Sequence, residues 1–518
     1  MKPKISSALN ETLAQQLIMR DIHLFAHLSK NPVSPLRVLA APESAQETKS
    51  RMKQIAYACY TIVLCFAVFV TQSTAKPGGK SAPPAVDFSE LDKLVLDELK
   101  ERNTPGAVIA VVSGDQVVYQ KAFGVANVET NAPMQPEMLF RLGSTTKMFT
   151  AAALVTLAER NKIKLNEPIG NTVKGLNGRI AKATPHHLLS NSAGVRDFAA
   201  PVISNEDASL GNMIRAWKDD VFFAEQGEIY SYSSAGFWLS GLVIEEVHGK
   251  PYADAMTELM FQPLGMDRTT LRPLMAITYP FATGHALNEG KPVILRPLFN
   301  NVAMWPAGSM WSNTKDLSRW VIAFLNEGRL DGKQVVSASL INQMRDHHVR
   351  VPGETDAYYA YGLTVFKQQG LEFVGHGGFS RGYGSMIQMV PSRKFAVIVL
   401  TNKSGETMRK SLTRATEIGL GLKSDEPTQP ATVAPATSAE MNEYAGTYSH
   451  APLTWEVSVK EGKLYVKTEG REYAMTKSGE RKFTYGDQNE NEIVFVPDRS
   501  GKINLIFMGL YGAKKVQN

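Results

Sequence analysis

Between Ala107 and Val112, and again between Gln116 and Phe123, the chain is dominated by β-branched and aromatic residues. Ser113-Gly114-Asp115 separates the two runs, so they predict a β-hairpin. Just upstream, Phe88 to Arg102 carries apolar residues at helical spacing. Downstream, Phe140 to Leu157 becomes a long Ala/Leu-rich helical run, and Asn161 to about Leu298 reads as helical segments and loops. Pro306-Ala307-Gly308 then precedes a further expected helix that runs through Leu325. Strand patterns return late, at Gly370–Val374, Tyr383–Val390 and Phe395–Thr401. A sheet fed from both ends of a region, with helices between, predicts an α+β architecture over residues 87–423. It would comprise an antiparallel sheet flanked by helices plus a mostly helical subdomain.

Two proline-containing stretches bound this region. Residues 76–86 read as a linker, as do residues 424–439, which are rich in Pro, Thr and Ala. From residue 440 to 518 the pattern changes to short strands separated by turn residues, namely Glu443–Ser449, Thr454–Val459, Lys463–Lys467, Lys482–Tyr485, Glu492–Val496 and Lys502–Met508. This spacing predicts a small all-β, barrel-like domain.

At the other end, residues 1–51 are polar and mixed, with a short helix expected around Leu13–Leu28 and no function assigned to the extension. Arg51-Met52-Lys53 then precedes the uncharged run Ile55 to Val70, and Thr71 to Ala75 supplies small residues. Residues 52–75 therefore read as a secretory signal peptide cleaved after Ala75, which implies a periplasmic or extracellular protein. An uncleaved membrane anchor over 55–70 is the alternative, although the run is short for a span.

Charge and cysteine content narrow the function classes. The formal net charge is +6, but residues 1–75 hold eight lysines and arginines against four acids. The rest of the chain carries 48 against 46, so no basic stripe remains and nucleic acid is excluded as a partner. Both cysteines, Cys59 and Cys65, lie within the apolar N-terminal run. The main body can therefore hold no disulfide, cysteine nucleophile or cysteine-based metal site.

The candidate chemistry begins at Ser144 and Lys147. They sit three apart at the start of the Ala/Leu-rich helix, a spacing that puts both side chains on one helix face. A serine hydroxyl needs a base to become a nucleophile, and a buried lysine with a lowered pKa can be that base. Backbone N–H groups at the helix start favour negative charge on a substrate oxygen. Ser-x-x-Lys alone is weak: it also occurs at Ser50/Lys53, Ser73/Lys76 and Ser312/Lys315. Only Ser144 combines a preceding glycine, a long apolar helix and an upstream hairpin. Tyr232, in Tyr230-Ser231-Tyr232-Ser233-Ser234, could pass a proton between nucleophile and leaving group. His376-Gly377-Gly378 could let the backbone approach a ligand and aim the Phe379 N–H at an oxyanion, although a plain turn also fits it.

Together these pieces resemble the serine β-lactamase and penicillin-binding-protein superfamily, in its class C-like, peptidase S12-like branch of esterases and D-aminopeptidases. The resemblance rests on Pro105-Gly106-Ala107, Phe140 to Lys147, His187 to Gly194, Tyr230 to Gly236, Pro306 to Gly308 and Gly375 to Gly378. The C-terminal region resembles lipocalin-like domains that follow such catalytic domains. The resemblance implies that Ser144 is the nucleophile and Lys147 its base, with Tyr232 in the place of the Tyr-x-Asn tyrosine. Ser234 would contact substrate where the family usually has asparagine, and His376 would stand where β-lactamases have a lysine. Ser144 and Phe379 N–H groups, with Gly378 clearing the approach, would form the oxyanion hole. A histidine is a weaker carboxylate site than a lysine at neutral pH.

Gly378-Phe379-Ser380-Arg381-Gly382 also fits a nucleophile elbow, but an elbow needs a helix after its serine and a strand is expected here. Lys403-Ser404-Gly405 follows the last strand rather than opening the final pair. His186-His187 and His347-His348 lack a completing carboxylate, so no metal or other cofactor is expected. The expected activity is exported ester or amide hydrolysis of carboxylesterase or D-amino-acid peptidase type. The alternatives are a β-lactamase or D-Ala-D-Ala carboxypeptidase, and a catalytically weak protein that binds cell-wall peptide. The sequence does not indicate an oligomeric state.

Overall fold

The computed structural model describes residues 86–198, 200, 204–423 and 433–516. The expected leader, the N-terminal helix, all but Val86 of the first linker and residues 424–432 of the second lie outside these residues. Among them, no helix is long and apolar enough to cross a membrane.

The central sheet has nine antiparallel strands. Helix α1 (Ser89–Glu101) leads into β1 (Gly106–Ser113), β2 (Gln116–Asn127) and β3 (Ala132–Pro133). The sheet resumes after a long helical insertion with β4 (Val349–Arg350), β5 (Ala357–Tyr359), β6 (Thr364–Gln368), β7 (Leu371–Ser380), β8 (Tyr383–Val390) and β9 (Phe395–Thr401). The spatial order is β4-β5-β6-β7-β8-β9-β1-β2-β3. One seam, Ala107 opposite Thr401 through Ser113 opposite Phe395, joins the two halves.

Alternation explains why β1 reads as an unbroken apolar run. Val108, Ala110 and Val112 face the main core with Ile398 and Leu400. Ala107, Ile109 and Val111 face α1 and the final helix of this region, with Val397, Val399, Leu412 and Ala415. Both faces are covered, so both sets are apolar. Each fully buried Val or Ile there contributes roughly 1.5–3 kcal/mol.

The helical insertion holds α2 (Thr146–Glu159), α3 (Ser234–His248) and α4 (Thr314–Leu325); α5 (Arg409–Leu420) follows β9. Helices α2 and α3 are buried along most of their length, with Phe149, Leu154, Phe237, Trp238 and Leu242 in the main core. That burial is why α2 lacks a polar stripe.

The C-terminal region is a second nine-stranded sheet, in the order Arg471–Ala474, Lys463–Thr468, Leu453–Lys460, Gly446–His450, Tyr511–Lys515, Ile503–Met508, Asn491–Pro497, Lys482–Tyr485 and Thr476–Gly479. Its two outer strands are consecutive in the chain and joined through Met475, so the sheet curls into a nearly closed barrel with its own core of Tyr448, Trp455, Val466, Phe495 and Ile506. One strand boundary is corrected: Glu443 and Tyr444, the first two residues of Glu443–Ser449, close a helix. Thr437 and Glu440 form a capping box that starts a helix over Ser438–Tyr444, and the strand begins only at Gly446. That helix opens inside the stretch read as linker. A third core, with Tyr230 and Tyr359 from the first region and Val494, Leu505 and Phe507 from the barrel, packs the two regions together.

Candidate active site

Ser144 sits in a single 3₁₀ turn, Gly143–Thr145, that runs straight into α2. Gly143 has a φ of +55°, and a Cβ there would lie 2.2 Å from the carbonyl oxygen of Phe379. Only glycine lets the turn and β7 come this close. The backbone N–H of Phe379 is thereby brought beside the turn that carries Ser144. Gly378 is under the same constraint: its Cβ would lie 1.8 Å from the Leu142 oxygen. His376-Gly377-Gly378 is therefore no turn. It is the continuation of β7, which runs on to Ser380 past the end of β6.

Lys147 is fully buried, and its Nζ lies 3.1 Å from Ser144 Oγ, 2.8 Å from the Ala307 carbonyl oxygen and 3.5 Å from Ser234 Oγ. Burial pushes its pKa down to about 7, against a smaller upward pull from Asp197. A neutral amine has two N–H donors and one lone pair. A carbonyl oxygen can only accept, so Ala307 fixes one N–H, and Ser234 Oγ is placed for the second. The lone pair is then left for the Ser144 hydroxyl proton. Pro306-Ala307-Gly308 thus orients the Lys147 amine.

Tyr232 hydrogen-bonds Ser144, and its ring centroid is 4.7 Å from Lys147 Nζ. Burial raises its pKa well above the usual value, so it is a phenol at neutral pH and a proton donor rather than a base. Ser233 caps α3 by accepting from Gly236 N, which leaves Ser234 at the first turn beside Lys147.

His376 is buried, with its pKa pushed down to about 3 by burial and by nearby Lys147. Its Nδ1 faces the Gly377 carbonyl and must carry the proton. Its Nε2, 3.1 Å from Tyr359 Oη, then accepts from that hydroxyl. Both nitrogens are occupied, so the ring presents no cation to a substrate carboxylate.

The structure thus brings Ser144, Lys147, Tyr232, Ser234, His376, Gly378 and Phe379 into one place. It adds two residues missed in the sequence. Asp197 accepts from Ser234 N at 2.8 Å, and Tyr511 Oη, from the barrel, donates to its other oxygen at 3.2 Å. The barrel also accepts from Tyr232 N through the Leu510 oxygen at 2.8 Å and donates from Gly512 N to Ser231 Oγ at 3.0 Å. The one available signal was the position of Asp197, three residues past Gly194, where the stretch already singled out ends.

Among the competing motifs, Ser380 is followed by a strand, so it is no elbow serine. His186, His187 and His348 pack ring to ring, with His348 stacked on Tyr361 at 3.8 Å. Among the described residues no group of three or more His, Cys, Asp or Glu is placed to hold a metal ion.

The beta-lactamase family profile matches residues 91–420, more than half of the chain. The chain belongs to the beta-lactamase family. It is 26% identical over 329 residues to Protein flp of Staphylococcus aureus strain N315, covering 62% of this chain and 64% of that protein. It is 30% identical over 336 residues to the Unguisins hydrolase ungD' of Aspergillus campestris, covering 61% of each. The chain therefore spans less than two thirds of the length of these relatives. Among solved structures, the octameric penicillin-binding protein homologue from Pyrococcus abyssi superposes with a TM-score of 0.58 at 24% identity, covering 83% of this chain and 100% of that one. SurE superposes with a TM-score of 0.69 at 22% identity, covering 82% of this chain and 98% of its own. Both structural likenesses extend beyond the profile match, and at these identities they speak for the fold alone. The chain is thus a beta-lactamase-fold protein with hydrolase-named relatives, and its C-terminal barrel lies outside the matched region.

Proposed function

We propose that this beta-lactamase-family chain is an exported serine hydrolase that cleaves an ester or amide, of carboxylesterase or D-amino-acid peptidase type, through an acyl-enzyme on Ser144. One observation carries the reading: Lys147 Nζ lies 3.1 Å from Ser144 Oγ, inside a burial that holds the lysine near neutrality. Ser144 Oγ attacks the carbonyl carbon as its proton passes to the Lys147 lone pair. The oxyanion forms against the N–H groups of Ser144 and Phe379. The leaving alcohol or amine departs with a proton from Tyr232 or Lys147, leaving the acyl group on Ser144. Water then releases the acid by the same steps in reverse, with Lys147 again taking the proton. No step needs a metal or organic group.

His376 supports ester and amide substrates over β-lactams, because the neutral, fully bonded ring offers no anchor for a β-lactam carboxylate. The test is initial rates on a short-chain nitrophenyl ester and on a chromogenic cephalosporin, each against Ser144→Ala. Ester cleavage that depends on Ser144, with negligible cephalosporin turnover, is expected. Comparable cephalosporin turnover would overturn the preference in favour of a β-lactamase. Ester cleavage that survives Ser144→Ala would overturn the site.

A further inference from the structure

Asp197 is an acid without a salt-bridge partner beside the nucleophile. It lies deep in the fold, yet its side chain keeps part of its surface open, as do those of Ser144, Tyr232 and Ser234. Ser234 links the acid to the lysine, with its N–H on Asp197 and its Oγ 3.5 Å from Lys147 Nζ. The two oxygens of Asp197 receive Ser234 N, the Ser234 hydroxyl and Tyr511 Oη, all uncharged donors. Among the described residues it forms no ion pair with a lysine, arginine or histidine. The neighbouring Arg196 is turned away, spending its guanidinium on the carbonyl oxygens of Ala451 and Asp220. His450, whose ring lies 5.7 Å from that of Tyr511, is occupied by the Gly512 oxygen, and burial keeps it neutral. Among the described residues, Lys147 acts on Asp197 electrostatically, and its amine must be neutral to serve as the base.

A carboxylate can accept about four hydrogen bonds. Three are filled, by Ser234 N, the Ser234 hydroxyl and Tyr511 Oη, so one lone-pair position of Asp197 remains for a ligand. A buried acid left with no counter-charge costs stability, and a ligand that brings one removes the cost. His376, on the other side of Lys147, is neutral and fully bonded, so it brings no charge to offset the acid. The charge pattern therefore favours a cationic substrate over an anionic one.

We propose that Asp197, held by Tyr511 of the C-terminal barrel, is the subsite for a protonated amino group carried near the scissile carbonyl. The substrates are then free-amine aminoacyl amides or esters rather than N-acylated ones. Tyr511 is a positioning residue: its hydroxyl fixes the second Asp197 oxygen, so the barrel completes the pocket that recognises substrate. This inference rests on the reading of Ser144 as the nucleophile and adds what that nucleophile is offered.

The experiment uses the full chain and the p-nitroanilides of D- and L-alanine, each with a free and an N-acetylated amine. The readout is the ratio of kcat/KM for free over acetylated substrate, which cancels any general loss of activity. The wild-type ratio is expected to be roughly tenfold to a hundredfold for one enantiomer, as one charge-assisted contact allows. In Asp197→Asn it should fall to about one, mainly through KM. In Tyr511→Phe it should fall by a few-fold, with intermediate KM. A wild-type ratio of one or less, or a ratio that Asp197→Asn leaves unchanged, overturns the proposal. Binding of D- and L-alaninamide and their N-acetyl forms to Ser144→Ala, by calorimetry, asks the same question without turnover. A preference for the free amine that requires Asp197 supports the subsite, and equal binding overturns it. Nitrophenyl ester cleavage that survives Ser144→Ala would instead refute the nucleophile, so the two failures read differently.

Discussion

Two Ser-x-x-Lys stretches meet in this molecule, and they share a spacing but not a chemistry. Phe140-Arg141, which leads into Ser144, pairs antiparallel with Trp311-Ser312, so the motifs start from neighbouring strands. Both serines sit just before a buried helix. They differ in how each serine is held and in where each lysine points. Ser312 is bound to Thr269 Oγ1 at 2.7 Å, Asn313 caps α4 by accepting from Asp316 N, and Lys315 projects into solvent. Ser144 enters α2 through a glycine-enabled 3₁₀ turn, and Lys147 points inward to Ala307. A motif places two side chains on one helix face. Which face is buried decides whether the lysine is a solvated cation or a neutral base.

The comparison is broken most severely at the serines. Ser144→Ala should reduce nitrophenyl ester turnover by at least about a thousandfold, whereas Ser312→Ala should leave kcat/KM within a few-fold, both by initial rates. The lysines come next. Lys147→Met should cost roughly a hundredfold to ten-thousandfold in kcat/KM, and Lys315→Met should cost almost nothing. Gly143→Ala sharpens the backbone side of the contrast. The new Cβ collides with Phe379 at a positive φ, so a loss of roughly a hundredfold in kcat is expected, with burst kinetics locating it in acylation.

The pH profile depends on which lysine is buried. The base must be neutral, so kcat/KM should fall as pH drops through about 7. Tyr232 stays protonated and His376 stays neutral across that window, while the Asp197 anion favours the ammonium form of Lys147. Asp197→Asn should therefore move the acid limb to lower pH, which stopped-flow or plate-based pH profiles would show. The smallest effect is on stability. Ser312→Ala removes one buried hydrogen bond but leaves Thr269 bonded to Asp316, so about 1 kcal/mol by urea titration is expected.

Regular local patterns were legible and long-range ones were not. The β1–β2 hairpin, α2, β8 and β9 each carry their own periodicity, so they appear in the sequence nearly where they fold. Ser144 and Lys147 are a single helical turn, and their juxtaposition needs nothing distant. The continuation of β7 through His376-Gly377-Gly378 was hidden, because two glycines read as a turn until the Leu142 oxygen is known to occupy the space of a side chain. Tyr511–Lys515 was missed because Tyr-Gly-Ala-Lys-Lys has little β-propensity; neighbours on both sides hold it as a strand. Asp197 gains its setting from Ser234, 37 residues away, and from Tyr511, 314 residues away. No window of sequence contains that triplet.

The seam between β1 and β9 also sets a schedule. A chain emerging from the ribosome makes the Ser144 helix early, but the sheet beneath it closes only when Phe395–Thr401 is available. The Tyr232 loop is pinned only when Leu510 arrives, 278 residues later. Contacts so far apart in sequence form late and slowly. A chain that has not yet made the barrel therefore carries the Ser144 turn without the contact that pins the Tyr232 loop.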